Sequence, residues 1–285
     1  MVITYRPRSL SEALEAIVFI EYIIFAGGTD LMVKRKQWAG LLPAFDKPVM
    51  FISDLDELKQ ITIKDGFLYI GAACTFSSLI ESPLIPEFYK QVFMQIASPA
   101  IRNSATIGGN ICNSSPAGDS LPLLYALSAD IVVESSCRRV EIPIADFITG
   151  PGRNILTSSE LVTAVKLPIQ KFEKTFYKKV STRKSNALSK VSFVALANIE
   201  NDVYKDIRIA FGSAAPTVIR SIDIEEEVFA MSTQHNLDID QIVRDYASLI
   251  KPIDDQRSTA FYRKEVCSRL LADFLSDNTA GSSQL

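Results

Sequence analysis

The pattern of apolar and polar positions predicts an α/β unit at the start of the chain. Residues 10–20, LSEALEAIVFI, repeat apolar positions at helical spacing. Residues 22–26, YIIFA, form the short apolar run that is typical of a buried strand. Gly27 and Gly28 end this strand, and residues 31–38 are predicted to form the next helix.

From about residue 49 onward the apolar segments become shorter, β-branched and bounded by turn residues. This pattern indicates a sheet of short strands, and Asp65-Gly66 between two of them is a strong hairpin signal. Helices are expected at 75–81, 85–97 and 119–128. A last strand is expected at 160–168.

A second domain is expected after Pro168. Its pattern predicts three antiparallel strands followed by three helices. The fold class is therefore α+β. We expect domains at 1–170 and 171–285, and the first is expected to contain subdomains at about 1–55 and 56–170.

Charge and hydropathy exclude several classes of protein. The formal net charge is −3 and the chain has no clustered basic domain, which argues against nucleic-acid binding. Lys34-Arg35-Lys36 is interpreted as a solvated helix face. No apolar run reaches about 18 residues, so no membrane span is expected. The first residues lack the pattern of a signal peptide, and a cytoplasmic location is expected.

The cysteines and the histidine argue against metal and triad chemistry. The four cysteines are scattered without metal-ligand spacing, so we expect free thiols and no metal site. His235, the single histidine, lies in the polar stretch MSTQHNLD. Catalysis by Ser-His-Asp or Cys-His needs a histidine in a structured site. No catalytic residue is therefore predicted.

The first candidate site is the glycine turn Ala26-Gly27-Gly28-Thr29-Asp30-Leu31. Glycines let a backbone turn tightly and approach a ligand, and a helix start behind them adds free N–H groups. Such a turn suits a pyrophosphate. It also suits a plain strand-to-helix connection capped by Thr29 or Asp30. Because a carboxylate repels phosphate, Asp30 is predicted to cap the helix or to bind a hydroxyl.

The second candidate site, residues 98–119, is richer in small and polar residues: SPAIRNSATIGGNICNSSPAGD. Such a stretch buries little apolar surface of its own. It is better suited to a close approach of the backbone to a polar ligand. Asp119 precedes the apolar segment LPLLYAL and is predicted to be the N-cap of a helix there.

Together, FAGGTDLMVK and ASPAIRNSATIGGNICNSSPAGDSLP resemble the FAD-binding subunit of the xanthine dehydrogenase and carbon monoxide dehydrogenase family of molybdenum hydroxylases. TGPGR, IRIAFGSAAPTVIR and DDQRSTAFYRKEV agree with this resemblance, which covers nearly the whole chain. It implies an FAD-binding domain of the vanillyl-alcohol-oxidase-like (PCMH) type. A C-terminal domain of the molybdenum hydroxylase flavoprotein type would follow.

The resemblance also implies which residues bind FAD, non-covalently. The family's pyrophosphate loop matches residues 23–30, and its second loop matches residues 106–110. Single contacts match Asp119, Val162 and Lys178, with the register between Lys178 and Lys179 left open. The set is Ile23, Ile24, Phe25, Ala26, Gly27, Gly28, Thr29, Asp30, Thr106, Ile107, Gly108, Gly109, Asn110, Asp119, Val162 and Lys178.

The implied function is electron transfer. Electrons would arrive from a [2Fe–2S] partner subunit, in a complex whose molybdopterin is held by another subunit, and would leave FAD for NAD⁺ or another acceptor. The complex would be a heterotrimer or a dimer of heterotrimers, closer to the xanthine type than to the carbon monoxide type. Two alternatives stay open: a self-contained flavin oxidoreductase of the same fold, and a scaffold subunit without flavin.

Overall fold

The computed structural model describes residues 2–277, which form two compact units. The first contains the residues up to Ser114 together with Ser128–Ile169. The second contains Ser115–Leu127 and the residues from Gln170 onward. A segment of 13 residues therefore leaves the first unit and packs with the second before the chain returns.

The first unit begins with a small parallel sheet. Its strands are β1 (Thr4–Tyr5), β2 (Ile23–Phe25) and β3 (Val49–Phe51), in the order β1-β3-β2. Helix α1 (Leu10–Phe19) joins β1 to β2. It begins where the Ser9 side chain accepts a hydrogen bond from the Glu12 N–H, and it buries Ala13, Leu14 and Ile17. The predicted strand at 22–26 is confirmed.

Helix α2 is shorter than predicted. It covers only Leu31–Lys34, a single turn, instead of 31–38. Arg35 is its C-cap, and the Arg35 guanidinium turns to the Asp46 carboxylate at 2.8 Å. A single turn has little macrodipole. What the segment offers a ligand is the set of individual N–H groups before the helix.

The second part of the first unit is an antiparallel sheet. Its strands are β4 (Ile61–Lys64), β5 (Phe67–Gly71), β6 (Asp130–Glu134), β7 (Arg139–Pro143) and β10 (Leu161–Pro168), in the order β4-β5-β10-β6-β7. Asp65 (φ 51°) and Gly66 (φ 79°) are both left-handed, as the predicted β4–β5 hairpin requires. The other elements of this part are the ribbon β8 (Ile148–Gly150) with β9 (Arg153–Asn154), a 3₁₀ turn at Asp56–Lys59, and helices α3 (Phe76–Glu81), α4 (Glu87–Met94), α5 (Pro99–Arg102), α6 (Ile107–Asn113) and α8 (Ile144–Phe147).

The second unit contains the predicted three-stranded antiparallel sheet, β11 (Lys174–Ser181), β12 (Ser189–Glu200) and β13 (Val203–Gly212), in that order. Helices α9 (Ile222–Thr233), α10 (Ile239–Leu249) and α11 (Ala260–Ser276) follow. Their apolar sides pack on one face of the sheet, where the Phe193 ring contacts Phe176, Phe211 and Phe274. The α+β class predicted for the chain is confirmed.

Helix α7 (Leu121–Ala126), in the segment that leaves the first unit, packs on β12 and β13. A Cβ on Gly212 would lie 2.8 Å from Pro122, so glycine allows this close approach. Two arginines donate hydrogen bonds to the C-terminal end of the helix: Arg220 to the Tyr125 carbonyl at 2.7 Å and Arg208 to the Ala126 carbonyl at 3.3 Å. They satisfy carbonyl groups that a helix end leaves without partners.

The prediction that Asp119 caps this helix is wrong. Ser120 is the N-cap residue and makes no side-chain cap bond. The Asp119 carboxylate instead bonds to the side chains of Lys179 and Ser189, on the sheet of the same unit. Within residues 2–277, no helix is long and apolar enough to cross a membrane.

Candidate functional site

The first unit contains a cleft of about 370 Å³ with three walls: the glycine turn after β2, the segment that leads into α6, and the turn before β10. That volume lies in the range of small-molecule sites. Eleven of the predicted residues line it: Ile24, Ala26, Gly27, Gly28, Thr29, Asp30, Thr106, Gly108, Gly109, Asn110 and Val162.

Three predicted residues of the same two motifs do not line the cleft. Ile23 and Phe25 alternate with Ile24 along β2, so their side chains point to the other side of the strand. The Phe25 ring packs against Phe51, with 4.8 Å between centroids. Ile107 is fully buried. In this structure these three residues support the walls.

The glycine turn after β2 presents unused hydrogen-bond donors. Among the residues that the structure describes, no protein group accepts a hydrogen bond from the backbone N–H of Gly27, Gly28, Thr29 or Asp30. Gly28 has φ +70°, the left-handed conformation that lets the chain turn here. Four consecutive free N–H groups at the edge of a cleft are suited to bind an anion.

The second wall works differently, because its donors are already used. Ile107 N–H bonds to Cys74, Gly108 N–H to Ala72, and Asn110 N–H to Thr106, all at backbone carbonyls and at distances near 3.0 Å. The Gly109 N–H bonds to the Oγ1 of Thr106 at 3.1 Å, which makes Thr106 the N-cap of α6. The contribution of this wall to a ligand is therefore its shape.

The shape comes from Gly108 and Gly109, which occupy the first turn of α6. A glycine inside a helix costs about 1 kcal/mol relative to alanine, so two in succession need a reason. Gly108 lies against Ala72, whose carbonyl oxygen would be 2.7 Å from a Cβ. At Gly109, apart from the chain neighbours and the backbone of its own helix, the sole atom of the described residues within 4 Å of a Cβ would be Thr106 Oγ1, at 2.9 Å. Gly109 thus leaves a bare Cα facing the cleft.

The third wall, Leu156–Ser158 with Glu160, lies outside both motifs that predicted the site, and no sequence signal pointed to it. The Glu160 carboxylate accepts hydrogen bonds from Thr157 N–H at 3.0 Å and Thr157 Oγ1 at 2.9 Å, and it forms an ion pair with Arg138. Burial opposes ionisation of Glu160, but the bonds from Arg138 and Thr157 outweigh it and lower its pKa. The acid is therefore a charged brace for this turn.

Four charged residues line the cleft: Glu21, Asp30, Lys34 and Glu160. Glu21 pairs with Lys47. Asp30 occupies the N-cap position of α2, but its carboxylate makes no cap bond and accepts no hydrogen bond within the described chain. Lys34 is exposed, as predicted for a solvated helix face. The structure places it on the cleft, where its Nζ donates to Asn113 Oδ1 at 2.5 Å.

Two predicted residues, Asp119 and Lys178, belong to the second unit. Asp119 is 8% exposed and forms an ion pair with Lys179 at 2.7 Å. Burial raises the pKa of Asp119, and the Lys179 and Ser189 side chains oppose that rise. Lys178 is exposed on the other face of β11. Of the two lysines whose register was left open, the structure brings Lys179 to Asp119.

The cleft fits FAD by two observations. A dinucleotide carries a diphosphate that needs several donors in a small space, and the turn at 27–30 offers four. A planar or polar group can approach the second wall closely, since a bare Cα at Gly109 leaves room there. Cys112 also lines the cleft, and burial raises its thiol pKa to about 12, so the thiol is neutral.

Comparison with known protein families gives two matches that together cover most of the chain. Residues 1–170 match the family described as the FAD binding domain in molybdopterin dehydrogenase. Residues 176–277 match the CO dehydrogenase flavoprotein C-terminal domain.

Two individual relatives and one solved structure agree with these family matches. The putative xanthine dehydrogenase FAD-binding subunit of Escherichia coli (strain K12) is 30% identical, over 98% of this chain and 96% of the relative. The nicotinate dehydrogenase FAD-subunit of Eubacterium barkeri is 34% identical, over 65% of this chain and 64% of the length of that subunit. The structure of reconstituted CO dehydrogenase from Oligotropha carboxidovorans shares the fold, with a TM-score of 0.86, 20% identity and 96% of both chains covered.

Proposed function

Because this chain belongs to the FAD-binding subunits of the molybdenum hydroxylases, the xanthine dehydrogenase and carbon monoxide dehydrogenase family, we propose that it transfers electrons between an iron–sulfur partner subunit and NAD⁺ or another acceptor. It is an oxidoreductase subunit that depends on FAD. The proposed complex also contains a molybdopterin-binding subunit, as a heterotrimer or a dimer of heterotrimers. The proposed location is the cytoplasm.

One observation carries the proposal: the four residues with free N–H groups, Gly27–Asp30, line the same cleft as the bare Cα of Gly109. Charge-assisted hydrogen bonds from backbone N–H groups hold phosphate oxygens strongly. A plain strand-to-helix turn has no need for a second glycine wall opposite it. The two walls together are a binding cleft for a dinucleotide.

The chain's own residues bind and position FAD. The turn at Gly27–Asp30 would hold the diphosphate, and Thr106 would keep α6 in place by its cap bond to Gly109. Glu160 fixes the turn that contains Thr157 through two hydrogen bonds. When bound, FAD supplies the redox chemistry, accepting and releasing one or two electrons. No protein acid or base is needed for that step.

Asp119, Val162 and Lys178 remain proposed FAD contacts, as do the domains at 1–170 and 171–285. Val162 lines the cleft from β10 and is 5% exposed, which supports it as an apolar contact. For position 178, the contact of Lys179 with Asp119 favours the neighbouring lysine as the functional partner of the acid. Similarity to a protein named as a xanthine dehydrogenase subunit supports a complex of the xanthine type.

The test is to isolate the native complex through a tag on this chain. The expected material is yellow and releases FAD on denaturation, contains iron and molybdenum in stable proportion, and reduces NAD⁺ when a reducing substrate is added. A colourless chain that takes up no added FAD would contradict FAD binding. A flavoprotein without iron and molybdenum partners would favour a self-contained oxidoreductase. Reduction of a dye but not of NAD⁺ would contradict the proposed acceptor alone.

A further inference from the structure

The charges that line the cleft are mainly of the wrong sign for a diphosphate. Among the described residues that line it, three are acids and Lys34 is the one cation. Two of the acids are neutralised, Glu160 by Arg138 and Glu21 by Lys47. Asp30 is not paired. A ligand with two phosphate charges therefore needs a compensating positive charge within this cleft.

Lys34 has such a charge available. Its Nζ donates to the neutral amide oxygen of Asn113 at 2.5 Å, and within residues 2–277 it forms no ion pair with a carboxylate. Asn113 is the last residue of α6, so this bond links the first wall of the cleft to the second. The amide holds the ammonium group at the cleft without cancelling its charge.

A simple structural role would have given Lys34 a different partner. Asp30 and Lys34 stand four residues apart across α2, the spacing at which a helix forms i,i+4 ion pairs. The backbone places them together, since Lys34 N–H bonds to the Asp30 carbonyl at 3.0 Å. Their side chains nevertheless do not pair: Lys34 turns to Asn113, and the Asp30 carboxylate stays unbonded.

We infer that Lys34 is the counter-ion for the diphosphate of FAD, although it is not among the residues predicted from the sequence to bind FAD. The inference rests on the proposed function, because it assigns a partner to the same ligand. A lysine ammonium is a compact point charge suited to phosphate. In this cleft the N–H groups of Gly27–Asp30 would orient the diphosphate by hydrogen bonds, and the Lys34 ammonium would balance its negative charge.

The experiment compares Lys34→Gln with Lys34→Arg, which keeps the charge, and with Lys36→Gln, which removes an exposed neighbouring lysine. Flavin-free protein is titrated with FAD at about 0.01 M and about 1 M salt, where the Debye length falls from about 30 Å to about 3 Å. Riboflavin, which carries no diphosphate, is titrated as a comparison ligand. Thermal melting of each flavin-free variant checks the fold.

At low salt, Lys34→Gln is expected to raise the Kd for FAD about tenfold, the value of one charged hydrogen bond, and at high salt much less. Lys34→Arg and Lys36→Gln should bind FAD like the wild type, and riboflavin should bind all four proteins alike. The inference is overturned if Lys34→Gln keeps wild-type affinity at low salt, or if it weakens FAD and riboflavin equally. If the wild type itself takes up no FAD, the proposed function fails first.

Discussion

The carbonyl oxygen of Ser104 occupies the place where a side chain on Gly27 would begin. An ideal Cβ on Gly27 would lie 1.9 Å from that oxygen, far inside van der Waals contact. The two glycine-rich motifs, about 80 residues apart in the chain, therefore pack backbone against backbone. This contact sets the distance between the first and second walls of the cleft.

Gly27→Ala should therefore destabilise the protein, even though the change adds a single methyl group. Forcing atoms into a packed site costs about 1–3 kcal/mol, and here the neighbour is backbone that cannot rotate away. We expect a lower midpoint of urea unfolding for the flavin-free protein. Gly66→Ala is a useful comparison, because among the described residues, apart from its chain neighbours, no atom lies within 4 Å of a Cβ there, and only the positive φ is strained. Equal stability of wild type and Gly27→Ala would contradict the packing described.

Gly109→Val should have the opposite effect to Gly27→Ala: it should change stability little and abolish FAD binding. Its Cβ would approach one side-chain atom, Thr106 Oγ1, so the expected loss of stability is small, about 1 kcal/mol, as for a weakened helix cap. Its branched side chain would fill the face of α6 that the ligand needs, and FAD binding should be lost. Flavin content after purification and the melting temperature of the flavin-free protein check the two halves separately. Full flavin occupancy in this variant would count against the site.

Asp30→Ala tests the unpaired carboxylate in the cleft. Because that carboxylate makes no cap bond, the melting temperature of the flavin-free protein should not change. Its remaining predicted role is to accept a hydrogen bond from a hydroxyl of FAD, so removing it should weaken FAD binding about tenfold, the usual value of a bond to a charged group. Titration with FAD gives the answer. Tighter binding by the alanine variant would instead show that the carboxylate only repels the diphosphate.

Lys179→Met should destabilise the second unit strongly. The Lys179 and Asp119 side chains are 6% and 9% exposed, and removing the cation would leave a buried carboxylate without a counter-ion. Breaking a buried pair in this way costs about 3–5 kcal/mol. The double variant Lys179→Met with Asp119→Leu should recover much of that loss. Urea unfolding of four proteins tests it: the wild type, Lys179→Met, Asp119→Leu and the double variant. Additive losses would contradict the coupling.

Asp255 should make the protein sensitive to acid. Burial opposes its ionisation, but hydrogen bonds from Arg257 at 2.6 Å and Arg263 at 2.5 Å outweigh it and hold the pKa far below its usual range. Since the unfolded pKa is about 3.9, this stabilisation is present above that pH and lost as pH falls below it.

The comparison variant is Asp255→Asn. It should melt at a lower temperature than the wild type at pH 7, and the difference should shrink as the pH is lowered through about 4 to 3. Melting temperatures measured over that range are sufficient. A constant difference between the two proteins at every pH would show that ionisation of Asp255 is not the cause.

Much of the site was predictable because the motifs carry the chemistry locally. A glycine pair after a buried strand predicts a turn with free donors, and the structure shows those donors at Gly27–Asp30. The side-chain partners that a residue finds in the folded chain were harder to predict. Asp119 has the sequence context of an N-cap, yet its carboxylate bonds to Lys179, 60 residues away, because burial made an ion pair the better partner.

The sequence by itself determined the alternation of helices and strands, the α+β class, the two glycine motifs and the family. These follow from local periodicity, turn residues and short motifs, which do not depend on distant contacts. The tertiary structure alone decided which glycines pack and which face the cleft, that Lys34 joins the site, and that Glu160 braces its third wall. Each of those outcomes depends on which backbone atoms lie within a few ångströms of one another, and only the folded chain brings together residues 27 with 104, 34 with 113, and 138 with 160.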